Sequence, residues 1–215
     1  MTFAMTRITK PRGIRVLAVF SLLVTTIANT QAGNVSVIVT DAAGQPLADA
    51  VVYLEAAGKQ PLSLPVRKAI IEQKAYKFAP LVTAVQVGAE VLFPNNDAVR
   101  HNVYSFSAAK TFELKLYSGM PGAPVVFDKP GTVVVGCNIH DRMVAYIHVV
   151  DTPYFARTDA TGMARIENVT AGKFTLKSWH YLLAEKSEPS EQMITLTAAD
   201  ATASARVGVS APAPR

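Results

Sequence analysis

The chain has 215 residues, half of them hydrophobic and only 17% charged, which excludes a disordered protein and allows one good core or two small ones. Lys and Arg number 21 against 16 Asp and Glu, but the surplus is concentrated at the N-terminus, so the basic balance does not point to nucleic acid. A single cysteine excludes an internal disulfide.

Arg7, Lys10, Arg12 and Arg15 precede an apolar run from Val16 to Ala28, followed by Asn-Thr-Gln-Ala32. A basic stretch, an apolar stretch too short to span a bilayer comfortably and a small-residue cleavage site read as an export signal over residues 1–32, cut near Ala32. Its removal leaves 17 basic against 16 acidic residues. The mature chain is then nearly neutral, has no further run long enough to cross a membrane, and is expected in the periplasm. In an oxidising compartment an unpaired thiol is a liability unless something occupies it, and a metal would do so.

Val35-Ser-Val-Ile-Val39 alternates and is β-branched, which predicts a strand. Asp41-Ala-Ala-Gly44-Gln-Pro46 is turn chemistry, and Ala50-Val-Val-Tyr-Leu54 resumes the extended pattern. This strand-turn-strand resembles the opening of the carboxypeptidase-regulatory-like (transthyretin-type) β-sandwich. Its continuation comes a hundred residues later, in Arg157-Thr-Asp159-Ala-Thr-Gly162-Met-Ala-Arg-Ile166 and Val169-Thr-Ala-Gly172-Lys-Phe-Thr-Leu-Lys-Ser-Trp179. Met193–Thr197 and Ala205–Val209 are expected to complete that sheet, with a short helical turn near Tyr181–Ser187.

Between these halves lies a second series of short extended runs. Ala69–Gln73, Tyr76–Pro80, Ala84–Val87, Val91–Phe93, His101–Tyr104 and Thr111–Leu116 are separated by Gly, Pro and Asn punctuation. The last places Phe112, Leu114 and Leu116 on one face. Such spacing predicts an all-β sandwich.

The chemistry concentrates in Cys137-Asn-Ile-His140-Asp-Arg-Met143, a tight loop between Val133–Cys137 and Val144–Val150. Strand parity puts Val133, Val135 and Cys137 on one face, so the thiolate enters the interior. His101, just after the Asn95–Ala98 loop, supplies a second imidazole. Two imidazoles, one thiolate and one thioether are the ligand set of a type 1 copper site.

Val87-Gly-Ala-Glu-Val-Leu-Phe-Pro-Asn-Asn-Asp-Ala-Val-Arg-His101-Asn-Val and Cys137-x-x-His140-x-x-Met143 are similar to the first-histidine region and the short ligand loop of the plastocyanin and amicyanin group of cupredoxins. The resemblance implies one copper held by His101, Cys137, His140 and Met143, with Asn102 bonding to the Cys137 loop. One departure is that Asp141-Arg142 follows His140, where that loop carries proline. The exported tandem also resembles proteins of the methylamine-utilisation type.

The expected architecture is therefore a cupredoxin Greek-key β-sandwich over residues 59–151, plus a transthyretin-like β-sandwich assembled from 33–58 and 152–215. The expected function is a periplasmic electron carrier exchanging single electrons with a redox protein such as a c-type cytochrome or a dehydrogenase. Alternatives are a copper-handling protein, or an envelope binding module with an incidental copper site. An enzyme is not expected, because four histidines, two of them ligands, cannot build a further His-rich centre. His148 is read as a surface or cross-strand residue and His180 as lying outside the site. Met120 is read as a loop filler or an apolar rim to His140, and Lys110 and Lys115 as a solvated face.

Overall fold

Runs of β-branched and aromatic residues, interrupted every few positions by Gly, Pro or Asp, give strands and no helix among the residues described by this computed structural model, 32–58, 66–184 and 187–210. The protein is all-β. The expected export signal falls outside the described residues, apart from Ala32.

Two strands open the described chain, β1 (Ala32–Thr40) and β2 (Val51–Ala56). The middle begins with the short strands β3 (Ala69–Ile70), β4 (Glu72–Lys74), β5 (Lys77–Ala79), β6 (Val82–Gln86) and β7 (Ala89–Leu92). It continues with β8 (His101–Ser107), β9 (Lys110–Tyr117), β10 (Val125–Phe127), β11 (Gly131–Gly136) and β12 (Val144–Val150). The chain then adds β13 (Phe155–Arg157), β14 (Met163–Thr170), β15 (Gly172–Trp179), β16 (Ser190–Leu196) and β17 (Ala201–Arg206).

Sheets β14-β1-β17 and β13-β2-β15-β16 contain only the opening and closing strands. Val35, Val37 and Val39 of β1, Val52 and Leu54 of β2, Ala164 and Ile166 of β14, and Phe174 and Leu176 of β15 share one core. Sheets β6-β12-β11-β8-β9 and β10-β7-β3, with the β4-β5 hairpin, contain only middle strands. Their core includes Ala89, Val91, Phe93, Val103, Phe127, Val133, Val135, Ala145 and Ile147. A third cluster of Val51, Tyr53, Val82, Val150 and Trp179 joins the two sets of strands. Strand β2 is thus covered on both faces, which is why Val51-Val-Tyr-Leu54 is continuously apolar rather than alternating.

Three local expectations are corrected. The register between β8 and β9 shifts between His101 and Val103, whose partners are Tyr117 and Leu114. The extra residue in β9 breaks the alternation, so Leu116 is turned outward at 51% exposure while Phe112 and Leu114 pack against the core. The last strand among the described residues is Ala201–Arg206 rather than 205–209, pairing parallel to β1. Its inward residues, Ala201, Ala203 and Ala205, carry little apolar signal. Residues 181–184 form a hydrogen-bonded turn and not a helix, with the Leu183 N–H bonded to the His180 carbonyl (3.0 Å) and the Leu182 N–H to His180 Nδ1 (3.2 Å). Residues 185–186 of that stretch lie outside the described part.

Candidate metal centre

Alternation along β11 buries Val133 and Val135 completely and leaves Val134 at 42% exposure. Continuing that parity, Cys137 turns inward at 3% exposure. The chain then reverses through a tight loop closed by its own backbone. The Met143 N–H bonds to the His140 carbonyl (2.9 Å), and the Cys137 N–H to the Met143 carbonyl (3.2 Å). Asn102 on β8 accepts the Asn138 N–H at 2.9 Å, so the strand bearing His101 is tied directly to the loop bearing Cys137.

This arrangement brings three donors together. Cys137 Sγ lies 3.9 Å from His101 Nδ1 and 3.8 Å from His140 Nδ1. The imidazole rings stand 4.9 Å apart at 70°. His101 is fully buried, His140 is half-buried, and one donor atom from each of the three residues lies within 4.8 Å of the others. An ion about 2.3 Å from sulfur and about 2.0 Å from nitrogen would subtend an angle of roughly 125° at this separation, wider than a tetrahedral site. The donors therefore fit a metal site made of one sulfur and two imidazole nitrogens. Met143 is buried in the same core cluster as Cys137, at 1% exposure.

Two residues around the donors carry little signal in the sequence. Asp97, in the loop before β8, accepts from His101 Nε2 at 2.8 Å. The same carboxylate accepts the N–H groups of Ala75 (2.6 Å) and Tyr76 (3.0 Å) at the turn between β4 and β5. Desolvation opposes its charge, but the bonds from Tyr76, His101 and Ala75 together hold it below the usual carboxylate range. The Tyr76 ring then stands edge-on to both histidines, with centroids 5.9 Å from His101 and 5.1 Å from His140. A clue to Asp97 was present in the sequence, a carboxylate four residues before His101. Tyr76 has no local signature, because its turn contains neither Gly nor Asn.

The other histidines are elsewhere. His148 is no surface residue: it is 6% exposed, stacked on Trp179 at 4.4 Å, and bonded through Nδ1 to Thr132 Oγ1 (3.1 Å), its cross-strand partner. The side of β12 that carries it is covered by the opening and closing strands. His180 is buried, donating from Nε2 to the Ala48 carbonyl (3.1 Å) and accepting at Nδ1. Met120 is 67% exposed, and the aromatic contact over His140 comes from Tyr76. Lys110 is paired with Asp128 at 3.0 Å. Asp141 and Arg142 are exposed beside His140. A cleft of about 1500 Å³ is lined by Tyr53, Tyr146, His148, Trp179 and Tyr181 and contains none of the metal donors.

No family model and no curated protein matches the chain. Solved structures similar to it include a purple cupredoxin from Nitrosopumilus maritimus, 24% identical, covering 38% of this chain and 99% of that one with a TM-score of 0.31. An oxidized amicyanin variant is 22% identical, covering 39% of this chain and 82% of that one with a TM-score of 0.35. A copper-containing nitrite reductase from Thermus scotoductus is 23% identical, covering 52% of this chain and 28% of that one with a TM-score of 0.36. Likeness of this extent is partial, and the chemistry of the centre rests on its own donors and their geometry.

Proposed function

We propose that the chain is an exported type 1 copper protein that carries single electrons, its copper held by Cys137, His101, His140 and Met143. The observation that carries this reading is the approach of one cysteine sulfur to two imidazole nitrogens at 3.8–3.9 Å, on a scaffold whose hydrogen bonds link both ligand segments. Copper, when bound, supplies the one-electron couple between Cu(II) and Cu(I).

The protein's own residues do the rest. Burial of Cys137 and His101 keeps bulk water from the thiolate and the inner imidazole. The β8 strand and the closed loop hold the donors in one arrangement, so little has to move when the charge of the ion changes. His140 alone of the three donors is partly exposed and offers an edge at which an electron can enter or leave. Asp141 and Arg142 flank that edge, and a redox protein such as a c-type cytochrome or dehydrogenase would meet them first. His148 and His180 stand apart from this centre, each buried with hydrogen-bond partners of its own.

Under this reading the middle strands are a cupredoxin-type unit, and the opening and closing strands form a second, transthyretin-like unit split around it. Export rests on the N-terminal pattern. No helix among the described residues is long and apolar enough to cross a membrane.

The test is to load the purified protein with Cu(II). An intense blue charge-transfer band is expected, and Cys137→Ser abolishes it. A colourless copper-loaded protein overturns the reading. Copper that leaves for an acceptor protein faster than electrons are exchanged would favour copper handling instead.

A further inference from the structure

The turn between β4 and β5 has an unfavourable shape for its sequence. Ala75 and Tyr76 both occupy the left-handed region, at φ 53° and 58°, where two-residue hairpin turns ordinarily place Asn and Gly. A residue with a side chain is strained in that region, because its Cβ crowds the following carbonyl oxygen. The turn is held by an external group, the Asp97 carboxylate, which accepts both of its N–H groups. Asp97 is itself anchored, since its own N–H bonds to Asn95 Oδ1 (3.0 Å). Asn95 in turn donates to the carbonyls of Val99 (2.9 Å) and Tyr117 (2.8 Å).

The third bond of the same carboxylate goes to His101 Nε2. A carboxylate only accepts, so this nitrogen carries a proton, and in the neutral ring Nδ1 then keeps its lone pair toward Cys137 Sγ. One anionic group therefore sets the tautomer of an inner imidazole and fastens the turn whose tyrosine lies across both imidazoles.

We propose that Asp97 is the positioning residue of the metal centre and that, through the same carboxylate, it fastens Tyr76 as a lid over His101 and His140. The proposal rests on the copper reading for its metal-bound consequences, while the tautomer and the lid belong to the metal-free protein. Tyr76 is 52% exposed, so its outer face remains on the surface while its edge contacts cover the rings. A carboxylate behind a ligating histidine fixes the orientation of its ring and favours the more highly charged ion.

Long-range proton–nitrogen correlation spectra of the metal-free protein provide the first test. His101 is expected as a single Nε2–H tautomer with a slowly exchanging proton; an Nδ1–H tautomer or a rapidly exchanging mixture overturns the proposal. Asp97→Asn is expected to lose the single tautomer, bind Cu(II) about 10- to 100-fold more weakly and raise the reduction potential. Tyr76→Ala should keep the wild-type tautomer while copper is stripped faster by a small chelator. An Asp97→Asn variant with unchanged tautomer and copper affinity overturns the proposal, as does a Tyr76→Ala variant with unchanged stripping rate. If Asp97→Asn does not fold, the wild-type spectrum and Tyr76→Ala still decide. If wild-type protein gives no charge-transfer band with Cu(II), the carrier reading falls, and the tautomer measurement still judges Asp97 alone.

Discussion

At His148 the ring lies nearly parallel to Trp179, 11° apart, and 5.5 Å from the ring of Tyr53. Burial there pushes its pKa down from 6.5 to about 4. An unfolded chain takes up this proton as pH falls through 6.5, whereas the folded one resists until about 4. The unfolded state binds more protons across that window, so stability is lost as pH falls, by up to about 3 kcal/mol. His148→Phe retains an aromatic ring against Trp179 and should flatten urea-derived stability between pH 6.5 and 4. An unchanged slope would show that His148 does not control it; His180, also depressed by burial, leaves some residual slope. A second residue-scale prediction concerns Asn102. Asn102→Ala removes the acceptor of the Asn138 N–H and should cost about 1–3 kcal/mol, read from the shift of the denaturant midpoint. These two residues also differ in how legible they were. Asn102 stood beside a recognisable histidine and across from a recognisable loop. The burial of His148 depends on strands distant in sequence, to which the alternation of β12 does not refer.

The turn from β13 into β14 illustrates how much an element's own residues can specify. Asp159 accepts bonds from the N–H of Thr161 (2.8 Å), the hydroxyl of Thr161 (2.6 Å) and the N–H of Met163 (3.1 Å). Gly162 then takes φ +74°, and a Cβ there would lie 2.6 Å from the Val39 carbonyl oxygen and 3.0 Å from the Leu47 nitrogen. Both obstacles are backbone and cannot swing away. Gly162→Ala should therefore cost at least about 2 kcal/mol, the left-handed penalty plus a shift of β1, measured as a lowered thermal midpoint. A wild-type midpoint would mean that the turn relaxes freely. The Asp159-Ala-Thr-Gly162 spacing stood in the stretch that resembles the later part of the transthyretin-type sandwich, and the turn is legible there because its chemistry is local. The bulge between β8 and β9 was not, since a register shift depends on pairing between two strands and leaves no mark on either one. Strand β17 was displaced for a third reason: its core-facing residues are alanines, so periodicity has little hydrophobic contrast to detect.

Across the whole molecule, two cores meet at a small joint. Val51 and Tyr53 come from β2, Val82 from β6, Val150 from β12 and Trp179 from β15, all 7% exposed or less. Tyr53 reaches across it to His148, and its hydroxyl pKa is pushed up to about 12, chiefly by burial. The covalent path also crosses between the cores, since β12 ends at Val150 and β13 begins at Phe155. Such a joint should make the two cores unfold together. The chain contains one Trp and one Cys, which makes each a reporter of one place. Trp179 fluorescence follows the joint and the sheet containing β15, whereas the buried thiol of Cys137 becomes reactive only when the middle core opens. In metal-free wild-type protein, urea curves from fluorescence and from thiol labelling should superimpose. Tyr53→Ala leaves both reporters in place but removes the ring packed at the joint, at a cost of about 3 kcal/mol. The curves should then separate, fluorescence changing at lower urea and thiol labelling remaining near its original midpoint. Separate curves in the wild-type protein would show that the joint does not couple the cores. Superimposed curves in Tyr53→Ala would locate the coupling in the chain crossing rather than in the aromatic contact.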